Sequence, residues 1–146
     1  VNKVLWDIKN ILHFEETVIF TGDFNEPSHL DWTAAAAEAG LYPLKVAYPT
    51  SKQVARIGLK DAFRELYPDP VKVPGFTWPA GNYPDTPDSS VADPADRIDF
   101  VYFAGKKVRV KNVQRLGEDE ATSDMAFAKY PSDHRAVLAT FELDGA

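Results

Sequence analysis

Helical and extended patterns of apolar residues alternate along this chain. Near its start, apolar positions recur three and four residues apart, which predicts a helix over residues 3–13. Capping and helix-ending residues predict three more helices: over residues 30–39, from Thr50 or Ser51 to Ile57, and over residues 59–66. Apolar and β-branched runs predict strands at residues 17–22, 76–78, 97–104, 108–116 and 135–143.

These elements show no internal repeat and predict a single unit over residues 1–146. Its hydrophobic content of 45% is sufficient for a core. Ser28 is expected to cap the helix at residues 30–39, and Gly40 to end it. Residues 68–95 hold much of the proline and show little periodicity, which predicts an ordered surface loop around a short strand.

The first candidate chemistry lies where the strand at residues 17–22 ends, in the sequence Gly-Asp-Phe-Asn. Asp23 and Asn25 are two positions apart, so on an extended backbone their side chains point to the same face. A carboxylate can accept a proton from a nucleophile, and a carboxamide can donate hydrogen bonds to an anionic oxygen. Taken alone, the motif is equally typical of an ordinary turn.

Two further motifs stand at the edges of predicted strands. Asp99 lies in the apolar run Arg-Ile-Asp-Phe-Val, where a carboxylate is costly to bury unless it is paired. Asp133 and His134 lie together in Ser-Asp-His-Arg, directly before the last strand. Singly, these two residues are typical of turns and surfaces. A buried Asp99 would therefore need a partner elsewhere in the chain.

The three motifs occur in this order, and in combination they resemble the endonuclease/exonuclease/phosphatase superfamily over residues 18–143. The resemblance implies metal-dependent hydrolysis of phosphate mono- or diesters by attack of water on phosphorus. It also implies a four-layer αββα sandwich. The fold expected for this chain is therefore α+β, the C-terminal half of that sandwich, with a mixed or antiparallel sheet and helices on one face.

The resemblance implies a role for each motif residue. Asp23 would orient and deprotonate the attacking water, and Asn25 would hold a phosphoryl oxygen. Asp99 would hydrogen-bond His134 and favour its charged form, and His134 would stabilise the negative charge developing on the phosphoryl group. Asp133 would contribute to a site for Mg²⁺ or Mn²⁺. Such a hard cation prefers carboxylate oxygens and water, and the absence of cysteine excludes thiolate zinc and iron–sulfur sites.

One part of the family pattern cannot be placed in this sequence. The resemblance implies an Asn near a first strand and a Glu as the principal metal ligand, both upstream of the Gly-Asp-Phe-Asn motif. We therefore expect the chain to be the C-terminal part of a catalytic domain and to be essentially inactive alone. The expected substrate is a phosphate ester. The expected partner is the missing N-terminal half or a second copy, covering an exposed sheet face.

Three other residues are candidates for contact with substrate, each with a structural alternative. His29 follows the Gly-Asp-Phe-Asn turn and could face the phosphate, or it could simply be exposed. Trp78 could wall the substrate pocket, since a rigid aromatic suits flat groups, or it could belong to the core. Arg97 could clamp a phosphate or pair with a nearby carboxylate.

Charge and hydropathy bear on whether the chain acts on nucleic acid or crosses a membrane. The formal net charge is −6, whereas nucleic-acid binders usually carry a basic surface, so a nucleic-acid substrate is allowed but not favoured. No run approaches the roughly 18 apolar residues of a membrane span. Two alternatives stay open: a binding module on the same fold that has lost catalysis, and a Ser-His-Asp hydrolase. The latter lacks a Gly-x-Ser-x-Gly elbow, and Ser132 is too close in sequence to His134 to be an obvious nucleophile.

Overall fold

The computed structural model describes residues 2–13, 16–80 and 95–144, and it has the α+β architecture expected from the sequence. Within these ranges, two three-stranded sheets are accompanied by four helices. The helices are α1 (Asn2–His13), α2 (Ala34–Glu38), α3 (Pro49–Arg56) and α4 (Ala62–Leu66). The strands are β1 (Val18–Asp23), β2 (Lys60–Asp61), β3 (Asp99–Ala104), β4 (Val108–Gly117), β5 (Met125–Ala126) and β6 (Ala136–Leu143). None of the helices described is long and apolar enough to cross a membrane.

The first sheet has the order β1-β3-β2, and β3 is antiparallel to both neighbours. Phe100 and Tyr102 point from one face of β3 into a core shared with α1 and α3. Phe103, on the opposite face, is buried against the second sheet. The register pairs Asp23 with Asp99 at the end of the β1–β3 ladder, so two of the predicted motifs meet there.

The second sheet has the order β5-β4-β6, with β6 antiparallel and β5 parallel to β4. The two-residue strand β5 is too short to produce a recognisable apolar pattern, and the sequence did not predict it. Alternate side chains of β4 and β6 pack against β3 in a second core cluster. The turn that precedes β6 therefore reaches the start of β3, where Asp99 lies.

The helix predicted over residues 30–39 is shorter and begins later. Thr33 rather than Ser28 caps α2, because its side chain accepts an N–H group of the first helical turn. Ser28 is fully buried, and its hydroxyl accepts a main-chain N–H two residues on, within a turn. This turn carries Asp31 into the interior, where it is paired with arginines. Gly40 follows the helix with a φ of 78°, as its predicted role at the helix end requires.

Two other predicted helices differ at their starts. The one predicted over residues 59–66 begins late, because Lys60 and Asp61 first form β2 beside β3. Asp61 then caps α4, with a side-chain oxygen that accepts two N–H groups of its first turn. Helix α3 begins at Pro49, ahead of both predicted capping residues, because proline suits the first helical position, where its own missing N–H group would have had no partner in the helix.

The proline-rich segment is described only in its first part. The strand predicted at residues 76–78 is reduced to a single antiparallel bridge between Trp78 and Asp96. This bridge ties the segment to the residues just before β3. The rest of the predicted loop, residues 81–94, lies outside the described residues.

Asp31, Asp61, Arg64 and Arg97 form a buried ion-pair centre beside α4. Asp31 accepts from Arg64 at 2.6 Å and from two nitrogens of Arg97, each at 3.1 Å. Arg97 also donates to Asp61 at 2.7 Å, and its side chain is 1% exposed. Burial lowers the pKa of the Arg97 guanidinium, but the two carboxylates outweigh burial and raise that pKa. The structure therefore corrects the prediction that Arg97 contacts substrate, because its guanidinium is buried and bound to two carboxylates.

Candidate functional site

The candidate site is built at the end of the β1–β3 ladder. Asp23 is the last residue of β1, Asp99 is the first residue of β3, and the two are cross-strand partners. Side chains of such partners lie close together on the same face of a sheet. Two carboxylates are therefore held side by side, an arrangement that is unfavourable without a nearby positive charge.

The Gly-Asp-Phe-Asn motif is a turn as well as an edge of the site. The N–H of Asn25 donates to Oδ1 of Asp23 at 2.8 Å, and Asn25 adopts a φ of 48°, which Asn tolerates better than most residues. The N–H of Phe24 donates to the carbonyl of Ile98 at 2.9 Å. These bonds tie the turn to the residues before β3 and leave the Asp23 carboxylate exposed. The turn and the chemical interpretation of this motif are therefore compatible.

His134 lies next to these carboxylates. Its Nδ1 lies 3.0 Å from Oδ2 of Asp99, which confirms the predicted hydrogen bond between these residues. The hydroxyl of Ser132 accepts the main-chain N–H of His134 at 3.0 Å and stabilises the turn. Burial by itself lowers the pKa of His134, but the hydrogen bond to Asp99 and the charges of neighbouring carboxylates outweigh burial and raise it.

The side chains of Asp23, Asp99 and His134 converge in what we call the carboxylate–histidine group. One nitrogen or oxygen atom from each lies within 4.8 Å of the others. In the part of the chain that the structure describes, this is the one cluster of three or more acidic or histidine side chains with such a spacing. The structure thus brings together one residue from each of the three motifs found in the sequence.

Asp133 and Asn25 lie next to this group in sequence without belonging to it. The main-chain carbonyl of Asp133 accepts the N–H of Ala80 at 2.7 Å, and its charge contributes to the raised pKa of His134. Asn25 is exposed in the turn that carries Asp23. The carboxylates that converge with His134 are those of Asp23 and Asp99, and a contact between Asp133 and a metal ion stays a prediction.

Residues 4–134, which contain all three motifs up to His134, match the model of the endonuclease/exonuclease/phosphatase family. The chain belongs to this family. A Caenorhabditis elegans protein described as uncharacterized is 36% identical to it over 138 residues. That match covers 87% of this chain but 41% of the relative, so the chain spans about two fifths of the length of the curated relative it matches.

Membership of the endonuclease/exonuclease/phosphatase family confirms the resemblance drawn from the motifs. In general, this is a family of hydrolytic enzymes that use a divalent metal ion. The donor set found here fits such an ion in part, because Asp23 and Asp99 offer oxygen ligands of the kind that Mg²⁺ prefers. Three protein donors fall short of the roughly six ligands that Mg²⁺ takes, which leaves places for water, phosphate oxygens and further protein groups.

His29 is not brought to the carboxylate–histidine group. It lines a separate cavity of about 410 Å³, whose walls include none of the three members of that group. Its ring Nδ1 and its main-chain N–H both lie within hydrogen-bond distance of the Ser51 hydroxyl, at 2.8 and 2.9 Å. Burial, and then the charge of Lys52, lower the pKa of His29. The predicted contact between His29 and a phosphate at this site is therefore not supported by its position.

Thr77 and Trp78 lie in the segment that is bonded to the residues around the start of β3. Trp78 is half-buried and bonded to Asp96 through its main chain, and a contact between its ring and substrate stays a prediction. Thr77 is fully buried, and its hydroxyl accepts the N–H of Asp99 at 3.2 Å. A single Thr in an apolar run is an ordinary strand residue, so the sequence contains no signal for this contact.

Proposed function

We propose that this chain carries part of the catalytic site of a metal-dependent phosphoesterase, which hydrolyses a phosphate mono- or diester by attack of water on phosphorus. The observation that carries the proposal is the convergence of Asp23, Asp99 and His134 at the end of the β1–β3 ladder. Family membership supports hydrolytic chemistry in general. Phosphoryl transfer depends mainly on positioning and charge stabilisation. A carboxylate can position the attacking water, and a protonated imidazole can stabilise negative charge on the phosphoryl group.

Asp23 positions the attacking water and accepts its proton in this proposal. Its Oδ1 is occupied by the N–H of Asn25, which holds the carboxylate in one orientation and leaves Oδ2 for water. Loss of a positioned base typically costs about 10²–10⁴-fold in rate. The carboxamide of Asn25 extends from the same exposed turn and donates to a phosphoryl oxygen.

His134 stabilises the negative charge that develops on the phosphoryl group. Because Nδ1 faces Asp99, Nε2 is the ring nitrogen left for substrate. The raised pKa of His134 favours the imidazolium, which donates a charge-assisted hydrogen bond to an anionic oxygen. Asp99 orients the ring and does not itself contact the reacting atoms.

A bound divalent cation such as Mg²⁺ or Mn²⁺ would neutralise negative charge on the phosphoryl oxygens. Asp23 and Asp99 would hold it, together with Asp133, the ligand that the family resemblance implies. Because these residues provide too few ligands, we propose that this chain alone binds metal weakly and is essentially inactive.

The missing ligands of the site would come from a partner that covers exposed apolar residues on the strands. Ile19 of β1 and Leu138 of β6 are 46% and 47% exposed, although both lie on strands that also contribute to the core. Apolar exposure on strands is what a surface covered by another part of a longer protein, or by a second copy, would leave. We propose that either partner completes the site.

The proposal is tested by assaying hydrolysis of bis(p-nitrophenyl) phosphate, a diester, and p-nitrophenyl phosphate, a monoester. The assay compares this chain with a longer protein that contains it, each with Mg²⁺ and with EDTA. We expect hydrolysis by the longer protein that EDTA abolishes, and little by this chain. Metal binding by a folded longer protein without hydrolysis of a wider panel of phosphate esters would instead favour the binding module that has lost catalysis.

A further inference from the structure

A short segment, residues 76–80, connects the two chain stretches that carry the carboxylate–histidine group. On one side, Trp78 is paired with Asp96, three residues before Asp99. On the other side, the N–H of Ala80 donates to the carbonyl of Asp133 at 2.7 Å. This segment, which we call the strap, is thus bonded both to the residues that precede β3 and to the turn that precedes β6.

Within the strap, Thr77 makes the hydrogen bonds that lie nearest to both Asp99 and His134. Its side-chain oxygen accepts the N–H groups of Ile98 at 3.0 Å and Asp99 at 3.2 Å. Its main-chain carbonyl accepts the N–H of Arg135, the neighbour of His134, at 2.7 Å. One residue therefore bridges the chain positions of Asp99 and His134.

The chemistry of this bridge requires a hydroxyl. A hydroxyl oxygen has two acceptor lone pairs, and at Thr77 both serve main-chain N–H groups. Thr77 is fully buried, so an aliphatic side chain of the same shape would leave two N–H groups without that partner. Such unsatisfied buried groups force local rearrangement, and here that rearrangement falls on the first residue of β3.

The strap is also held from the side of His134. The guanidinium of Arg135 is buried and donates to the carbonyl of Phe76 at 3.3 Å and to Glu118 at 2.5 Å. The residue after His134 is therefore bonded to the strap through both its main chain and its side chain. A displacement of the strap would move the His134 turn relative to β3.

We propose that Thr77 is a positioning residue, which sets the separation between Asp99 and His134 without touching substrate. The inference rests on the proposed phosphoester hydrolysis for its functional meaning. Groups that orient a catalytic side chain must hold it within about 0.5 Å, which a residue bonded to both stretches can do. The spacing of the pair thus depends on one buried hydroxyl.

The test uses this chain, without metal, and compares Thr77→Val, Thr77→Ser and the control Thr33→Val. Thr33 also offers its hydroxyl to a main-chain N–H, at the cap of α2. The readout is the set of ¹⁵N shifts of the His134 ring, recorded where the imidazole is neutral, which report which nitrogen carries the proton. The bond to Asp99 favours protonation at Nδ1.

Thr77→Val is expected to shift the ring ¹⁵N signals of His134 away from the Nδ1-protonated form. Thr77→Ser and Thr33→Val should leave these signals in place. A folded Thr77→Val variant whose His134 signals match those of the unsubstituted chain overturns the inference. If that variant does not fold, amide exchange in the unsubstituted chain decides: protection of the Asp99 N–H supports the bridge, and exchange as fast as in an exposed amide overturns it.

In a longer protein with activity, Thr77→Val should lower kcat about 10–100-fold with little change in KM, the scale for losing a residue that orients a ligand or catalytic group. Thr33→Val should change neither. The ring signals are recorded without substrate, so they test the positioning role by itself. Absence of hydrolysis, together with the expected shift in those signals, would count against the proposed function and not against the bridge.

Discussion

Asp99 and His134 are 35 residues apart in sequence, and Oδ2 of the first lies 3.0 Å from Nδ1 of the second. Each is supported by local structure: Asp99 starts a strand paired with β1, and the turn of His134 is held by Ser132. The pair orients the imidazole, and its second ring nitrogen is left for another partner. With Asp23 beside it, this pair is the geometric basis of the proposed chemistry.

Replacing Asp99 tests whether its carboxylate orients the imidazole ring of His134. In a longer protein with activity, Asp99→Asn keeps the shape of the side chain but removes the carboxylate that faces Nδ1 of His134. We expect kcat to fall about 10–100-fold, the usual scale for losing a group that orients a catalytic or metal-binding histidine. Asp124→Asn, which removes an exposed carboxylate bound to Arg115, is the matched control. Equal rates for the two variants would contradict the orienting role.

The ion-pair centre should dominate the stability of the first sheet. Asp31→Asn removes the shared partner of Arg64 and Arg97 and leaves buried positive charge, which typically costs about 3–5 kcal/mol. The control is Glu65→Gln, which breaks an exposed pair with Lys60 and should cost less than about 1 kcal/mol. Urea denaturation of both variants measures the difference, and similar free energies of unfolding would show that the buried pairs contribute little.

His29 should make stability depend on pH. Its pKa in the folded chain is lowered from 6.5, so below that pH the unfolded chain binds a proton more readily than the folded chain. The stability that depends on a neutral His29 is therefore present above pH 6.5 and is lost as pH falls through the lowered pKa. Urea denaturation across this range should show a smaller loss for His29→Gln than for the unsubstituted chain. Parallel losses would mean that His29 titrates alike in both states.

Divalent cations should contact the carboxylate–histidine group first. Mn²⁺ broadens the NMR signals of nearby nuclei, and we expect the strongest broadening at Asp23, Asp99 and His134, even if binding is weak. Asp23→Asn should reduce the broadening, and Asp69→Asn, an exposed carboxylate next to Lys72, should not. Broadening centred on the acidic residues 118–120 would place the cation elsewhere.

The sequence predicted the site better than it predicted the element boundaries. Asp23, Asp99 and His134 stand next to apolar strands, and a carboxylate inside such a run needs a partner. The choice of His134 as the partner of Asp99 followed from the family resemblance. The ion-pair centre did not follow, because Asp31 and Arg97 are far apart in sequence and each is also typical of a surface residue. Burial of Asp31 and pairing of β2 with β3 then shortened two predicted helices.

The metal-binding role of Asp133 stays a prediction. Its neighbour His134 is hydrogen-bonded to Asp99, and the other carboxylate of the converging group is that of Asp23. The carboxylate of Asp133 consequently lies outside the converging group, although its charge acts on His134. Thr77 could not be predicted because a hydroxyl has no preferred partner until the fold brings main-chain N–H groups to it.

The most direct test of the account is the turnover of Asp23→Asn in a longer protein containing this chain, with a phosphodiester substrate and Mg²⁺. Asp119→Asn, which removes an exposed carboxylate from a loop, is the control. We predict that Asp23→Asn lowers turnover by about a hundredfold or more while the fold is unchanged, the scale for loss of a positioned base. Near-normal turnover from a folded Asp23→Asn variant would show that Asp23 is only a turn residue and would contradict the proposed site.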